Sequence, residues 1–237
     1  MSLELLDIKK SALLVIDLQN AFCHKDGTLG KSGLDTDHLS SVIEPLKTLI
    51  NRCNDVEMPV LWTVQEHFEV DHRRGRKRLP SHTSKRKGIS ALANTWDAEI
   101  VDELKDLITH PSYVIRKHRF GAFYETRLNV MLEMLGIESL FIVGLTTNAC
   151  VETSFREAYL RDFDVIGIND CIAGVNPEWE ENAKKVWHHY LGITTESTDV
   201  LNWIDKEQQP KAIKLAHVLM QTSNLKRAED FYLGLLN

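Results

Sequence analysis

Ser139-Leu-Phe-Ile-Val-Gly144-Leu-Thr-Thr-Asn-Ala-Cys150-Val-Glu-Thr153 carries an apolar, β-branched run straight into a helical pattern, with a cysteine at the junction. The run ends at Gly144, and Val151, Phe155, Ala158 and Tyr159 then recur at helical spacing, so the segment reads as strand, tight turn and helix. Cys150 falls near the helix N-terminus. Free backbone N–H groups and the positive end of the helix dipole there favour the thiolate, the reactive form of cysteine. A buried free thiol that only packs is the competing reading of the position.

Working outward, Ala12-Leu-Leu-Val-Ile16 is a buried-type strand run ending on Asp17-Leu-Gln-Asn-Ala-Phe22, and Tyr113-Val-Ile-Arg-Lys117 is another ending on Lys117-His-Arg-Phe-Gly-Ala-Phe123. Strand patterns at 12–17, 59–64, 113–117, 139–144, 164–168 and 193–195 alternate with helical patterns at 36–54, 97–109, 125–135, 149–162 and 178–190. Such alternation predicts an α/β fold, a doubly wound, Rossmann-like three-layer sandwich on a parallel sheet with right-handed crossovers. Ligands of such sheets bind beyond the carboxyl ends of the strands, so Asp17, Lys117 and Cys150 are expected to converge on one site. Taken singly, a strand-end Asp is as readily a helix cap and a strand-end Lys a solvated charge.

Three motifs in order, Asp17-Leu-Gln19-Asn-Ala-Phe22, Lys117-His-Arg119-Phe120-Gly-Ala-Phe123 and Gly144-Leu-Thr-Thr147-Asn-Ala-Cys150-Val151, resemble those of the isochorismatase-like cysteine hydrolases across residues 10 to 205. The resemblance implies a six-stranded sheet in the order 3-2-1-4-5-6 and a catalytic triad of Asp17, Lys117 and Cys150. Asp17 would take the thiol proton, Cys150 would attack an amide-type carbonyl to form a thioester, and Lys117 would keep both charges in order. It also implies a cis Leu145–Thr146 peptide that brings the Thr146 N–H beside the Cys150 N–H as an oxyanion hole.

The segment Thr147-Asn-Ala-Cys150-Val-Glu152-Thr-Ser-Phe-Arg156-Glu looks most like ureidoacrylate amidohydrolase and biuret hydrolase, within the group that also holds N-carbamoylsarcosine amidase. A small ureido or carbamoyl substrate losing ammonia is therefore expected, with Phe22 and Phe123 packing on it and Gln65 and Asn148 bonding to its polar edges; ordinary packing or capping is the alternative role of these four. Alternatives to the function are a nicotinamidase-like amidase and a non-catalytic or redox thiol protein on the same fold. Nicotinamidases of the family hold a divalent ion with an Asp-x-His and a later His after the second strand, whereas this chain reads Thr63-Val-Gln65-Glu66-His67. No metal and no other cofactor is expected, although Glu66, His67 and His72 would make an improvised ligand set.

The chain has 237 residues, 43% hydrophobic, enough for one sizeable core with a small appendage. Its four cysteines, Cys23, Cys53, Cys150 and Cys171, form no C-x-x-C pair or disulfide framework, no basic leader precedes an apolar stretch, and no run approaches the roughly 18 apolar residues of a membrane span. A cytoplasmic enzyme without membrane contact follows as the expectation, and the family adds a homo-oligomer, dimer or tetramer. Eight Lys or Arg and no acid fall in residues 72–88, against a net charge of −6 overall. One basic loop on an acidic body is weak support for nucleic-acid binding, which is not expected; a solvated loop, an active-site lid and a subunit contact stay open.

The hydrolase domain is expected over residues 1–206. After the polar stretch Lys206-Glu-Gln-Gln-Pro210, residues 207–237 resemble the first βα unit of a glyoxalase-type (vicinal oxygen chelate) domain, with His217 at its metal position. With a single βα unit the other ligands are missing, so His217 is not expected to bind metal. A remnant of a fused domain, a docking appendage and a plain amphipathic helix are the open readings.

Overall fold

The computed structural model describes residues 3–70, 88–208, 226, 227, 229, 230 and 233. Six strands, β1 (Ser11–Ile16), β2 (Val60–Gln65), β3 (Val114–Lys117), β4 (Ser139–Leu145), β5 (Asp164–Ala173) and β6 (Ile193–Thr195), form one sheet in the order β3-β2-β1-β4-β5-β6. Every pairing is parallel, so the expected fold class and strand order are observed. β1, β2 and β4 are buried along their whole length, as befits strands covered on both faces.

The helices among the described residues are α1 (Asn20–Cys23), α2 (Thr28–Lys31), α3 (Thr36–Ser40), α4 (Ile43–Asp55), α5 (Asp102–Lys105), α6 (Leu128–Met134), α7 (Glu152–Tyr159), α8 (Pro177–Tyr190) and α9 (Ser197–Gln208). Side chains alternate along each strand, so the sheet divides the interior into two cores. Leu13 and Val15 point to one, with Leu46, Leu49 and Ile50 of α4 and Trp203 of α9. Leu14 and Ile16 point to the other, with Leu128 of α6, Phe155 of α7 and Trp187 of α8.

Several sequence boundaries are corrected. The helical pattern at 36–54 is broken into α3 and α4, because Pro45 has no N–H to give the Ser41 carbonyl and the helix has to restart just before it. The helix expected at 97–109 shrinks to α5: the Asn20 N–H donates to the Glu99 carbonyl and the Val101 N–H to the Leu18 carbonyl, which holds residues 99–101 extended against the turn after β1. β5 runs to Ala173, past the expected end at 168, because its pairing with β4 slips from Ile142–Gly167 to Gly144–Ile172. α1, α2 and α9 were not read from the sequence. α9 continues through Gln208, so the domain boundary placed after 206 falls inside its last turn. The basic run 72–88, apart from Gly88, and the glyoxalase-like segment, apart from α9's last two residues and five isolated positions, lie outside the described residues. Among the described residues no helix is long and apolar enough to cross a membrane.

Candidate active site

Asp17, Lys117 and Cys150 leave the sheet from three strand ends and meet beyond its carboxyl edge, at the point between β1 and β4 where strand order reverses. Asp17 follows β1 directly, with φ of 53°, a left-handed conformation that Asp tolerates better than most residues. Lys117 is the last residue of β3 and Gln65 the last of β2, paired in register. Since β2 lies between β3 and β1, the lysine side chain reaches across it. Cys150 sits in a π-helical turn, Thr147–Val151, that joins β4 to α7. Gly144, with φ of 110°, makes the approach possible, because a Cβ there would lie 2.1 Å from the Ile16 carbonyl oxygen.

Lys117 is fully buried and Asp17 is 1% exposed. The Lys117 Nζ lies 2.6 Å from Asp17 Oδ2, and it donates to Gln65 Oε1 at 2.6 Å and to the Arg119 carbonyl at 3.1 Å. Thr63 Oγ1 donates to Asp17 Oδ1 at 2.8 Å, and Cys150 Sγ donates to Gln65 Oε1 at 3.7 Å. Asp17 and Lys117 both act electrostatically on the thiol. Thr63 on Asp17 Oδ1, with Gln65 and the Arg119 carbonyl on Lys117, supplies the further hydrogen bonds that offset the desolvation of a buried ion pair.

Burial by itself pulls the Lys117 pKa down, but the attraction of Asp17 and Cys150 outweighs it and holds the ammonium above its ordinary value. For Cys150 burial dominates, Lys117 opposes it and Asp17 adds to it, so the thiol is pushed up to about 12. This reverses the sequence expectation of a dipole-lowered thiol. The resting sulfur is therefore a thiol beside an ammonium, and it becomes nucleophilic only when a base takes its proton. Asp17 is placed to be that base. The Leu145–Thr146 peptide is cis, and no backbone acceptor among the described residues takes the Thr146 N–H.

An isochorismatase domain model matches residues 11–199, which span all six strands and all three motifs. The chain belongs to the isochorismatase family. It is 32% identical over 178 residues to nicotinamidase 3 of Arabidopsis thaliana, covering 73% of this chain and 78% of that protein. It is 27% identical over 187 residues to the ureidoacrylate amidohydrolase RutB of Cronobacter sakazakii, covering 74% and 79%. In fold it resembles a cysteine hydrolase from Pseudomonas syringae pv. phaseolicola, with a TM-score of 0.72 at 18% identity, covering 85% of this chain and 95% of the other. It is an isochorismatase-family amidohydrolase.

Within this family member the pocket at Cys150 is lined by Phe22, Gln65, His67, Phe120, Leu145, Thr146 and Ala149. Phe22 and Gln65 thus lie where the sequence reading put them, although the Gln65 amide is already engaged at both ends. Phe123 does not line the pocket. It packs in the second core, with its ring 6.0 Å from that of Phe163 and the Arg161 guanidinium 4.7 Å away. Phe120, three residues earlier in the same motif, takes the place expected of it; a loop after a strand end has no period from which to tell the two apart. Asn148 is exposed, donates to the Trp179 carbonyl at 3.0 Å and links the π turn to α8. His67 was weighed only as a metal ligand and is a pocket residue.

Among the described residues no group of three His, Cys, Asp or Glu side chains could hold a metal ion. Glu66 pairs with Arg116 at 2.6 Å, both ring nitrogens of His67 are bonded within the protein, and His72 lies outside the described residues. Cys23, Cys53 and Cys171 are buried free thiols like Cys150, and Cys171 neighbours Cys53.

Proposed function

We propose that this amidohydrolase removes ammonia from a small ureido or carbamoyl compound through a thioester on Cys150. The observation that carries the reading is the buried convergence of Asp17, Lys117 and Cys150 at the end of the sheet. Asp17 takes the thiol proton as sulfur bonds to the carbamoyl carbon, and the carbonyl oxygen becomes an oxyanion that accepts from the Thr146 and Cys150 N–H groups. Lys117 holds the local charge constant while the negative charge moves from carboxylate to sulfur. Collapse breaks the C–N bond, and Asp17 returns its proton to the departing nitrogen as ammonia. Water, deprotonated by Asp17, then attacks the thioester, releasing a carbamate and restoring the thiol.

Two features favour a ureido substrate. Phe22 and Phe120 both line the pocket and offer flat apolar surface to a planar substrate, and the last residue of β2 is the neutral Gln65. The nicotinamidase-like reading is the second, favoured by the 32% identity to a protein of that name, and the same triad would serve it. Assembly as a dimer or tetramer belongs to the proposal on family grounds.

The test is ammonia release from biuret, triuret, ureidoacrylate, N-carbamoylsarcosine and nicotinamide by chelator-treated protein and its Cys150→Ser variant. We expect a ureido compound to be hydrolysed, chelation to leave the rate unchanged, and the variant to lose at least about 1,000-fold. Turnover of nicotinamide alone establishes the second reading, and silence across the panel contradicts both.

A further inference from the structure

The orientation of the Gln65 amide follows from chemistry. An ammonium has only donors, so the Gln65 atom 2.6 Å from Lys117 Nζ is the amide oxygen; the reverse orientation would set donor against donor. The Gln65 NH2 group then faces the imidazole of His67, 2.8 Å from Nε2. A donor facing Nε2 requires that nitrogen to be an unprotonated acceptor, which puts the ring proton of a neutral His67 on Nδ1. There it meets an acceptor: the Ser90 carbonyl lies 2.6 Å from Nδ1. Gln65, His67 and Ser90 are all buried, and the Gln65 backbone is clamped by Gln19, whose amide accepts from the Gln65 N–H at 2.8 Å and donates to its carbonyl at 2.9 Å. With backbone and Nε2 both fixed, the amide oxygen can point only at Lys117 and Cys150.

We propose that His67 is a positioning residue: as the neutral Nδ1–H tautomer it locks the Gln65 amide so that one oxygen holds both the Lys117 ammonium and the Cys150 thiol in attacking geometry. A protonated His67, or the other tautomer, presents N–H to Gln65 and forces the amide over, turning its NH2 group on Lys117. The chain of bonds spans the ends of β2 and β3, the π turn and the segment at Ser90, and it joins the site to a residue 23 positions from His67 in sequence. The functional consequence rests on the triad reading above, whereas the tautomer is a property of the folded protein alone.

Long-range proton–nitrogen spectra of histidine-labelled protein at pH 7.5, with His67 assigned by its loss in His67→Gln, read the tautomer without any substrate. Neutral Nδ1–H is expected. A neutral Nε2–H ring or an imidazolium overturns the proposal whether or not the triad reading survives. With an active substrate in hand, His67→Leu removes the acceptor, so kcat should fall by about tenfold to 100-fold while KM stays within about threefold. His67→Gln returns an acceptor oxygen near the Nε2 position and should recover most of that loss. A raised KM with unchanged kcat in His67→Leu would make His67 a substrate contact, and a His67→Gln protein no better than His67→Leu would show that the acceptor is not what matters; either contradicts the proposal. Should His67→Leu fail to fold, the tautomer and the His67→Gln rate still decide.

Discussion

Cys150 sits where two physical effects oppose, and their magnitudes decide its resting state. Desolvation of a thiolate 7% exposed to solvent outweighs the Lys117 ammonium beside it, and the pKa rises to about 12. Thiolate is the alkylating form and lies on the high-pH side, so the rate of Cys150 alkylation by iodoacetamide in the substrate-free protein should keep climbing through pH 10, about tenfold per unit, measured by mass on the Cys150 peptide. A plateau reached below pH 8 would mean a preformed thiolate and no need for Asp17 as base. The meeting of Asp17, Lys117 and Cys150 was legible in the sequence because each lies at or just beyond the end of an apolar strand run, and parallel strands bring such ends to one edge. The Gln65–His67–Ser90 chain was not, since its members are drawn together by side-chain bonds across separate segments, with no pattern in the sequence linking Ser90 to the rest. The raised thiol was equally hidden: helix position is visible in sequence, burial at the strand end is not.

At the scale of elements, the π turn between β4 and α7 is held by backbone geometry as much as by side chains. Gly144 carries φ of 110° beside β1, and an added methyl would press on the Ile16 carbonyl at 2.1 Å, with backbone on both sides unable to yield. Gly144→Ala should therefore destabilise the protein by roughly 3 kcal/mol or more in urea unfolding, since strain from positive φ and overpacking add. A loss below about 1 kcal/mol would show that β1 and β4 can spread to accept it. Elements with a clean period were read well, and β1, β2, β4, α4 and α8 match their patterns to within a turn or a few residues apart from the proline break. Segments whose conformation is set by distant partners were misread, residues 99–101 above all, which pair with the turn after β1 in place of continuing a helix.

The whole molecule is a parallel sheet that uses both faces for cores and one edge for chemistry. Crossovers place β1 at the centre with β2 and β4 on its flanks, so residues at or just past the ends of β1, β3 and β4 reach one point while Gln65 at the end of β2 links them. That order was legible as a resemblance carried by three motifs, each short, whose joint register is what excludes chance. Placement of Phe120 ahead of Phe123, and of Asn148 against α8, depended on loop paths that no motif encodes. A covalent route through a single thiol leaves a mark that rapid quenching of the protein with a ureido substrate, followed by mass analysis of its cysteine peptides, would catch. An acyl adduct is expected on Cys150 within the first turnover, with none on Cys23, Cys53 or Cys171, and neither adduct nor ammonia from Cys150→Ser. Steady hydrolysis with every thiol unmodified, or hydrolysis that survives in Cys150→Ser, would contradict it.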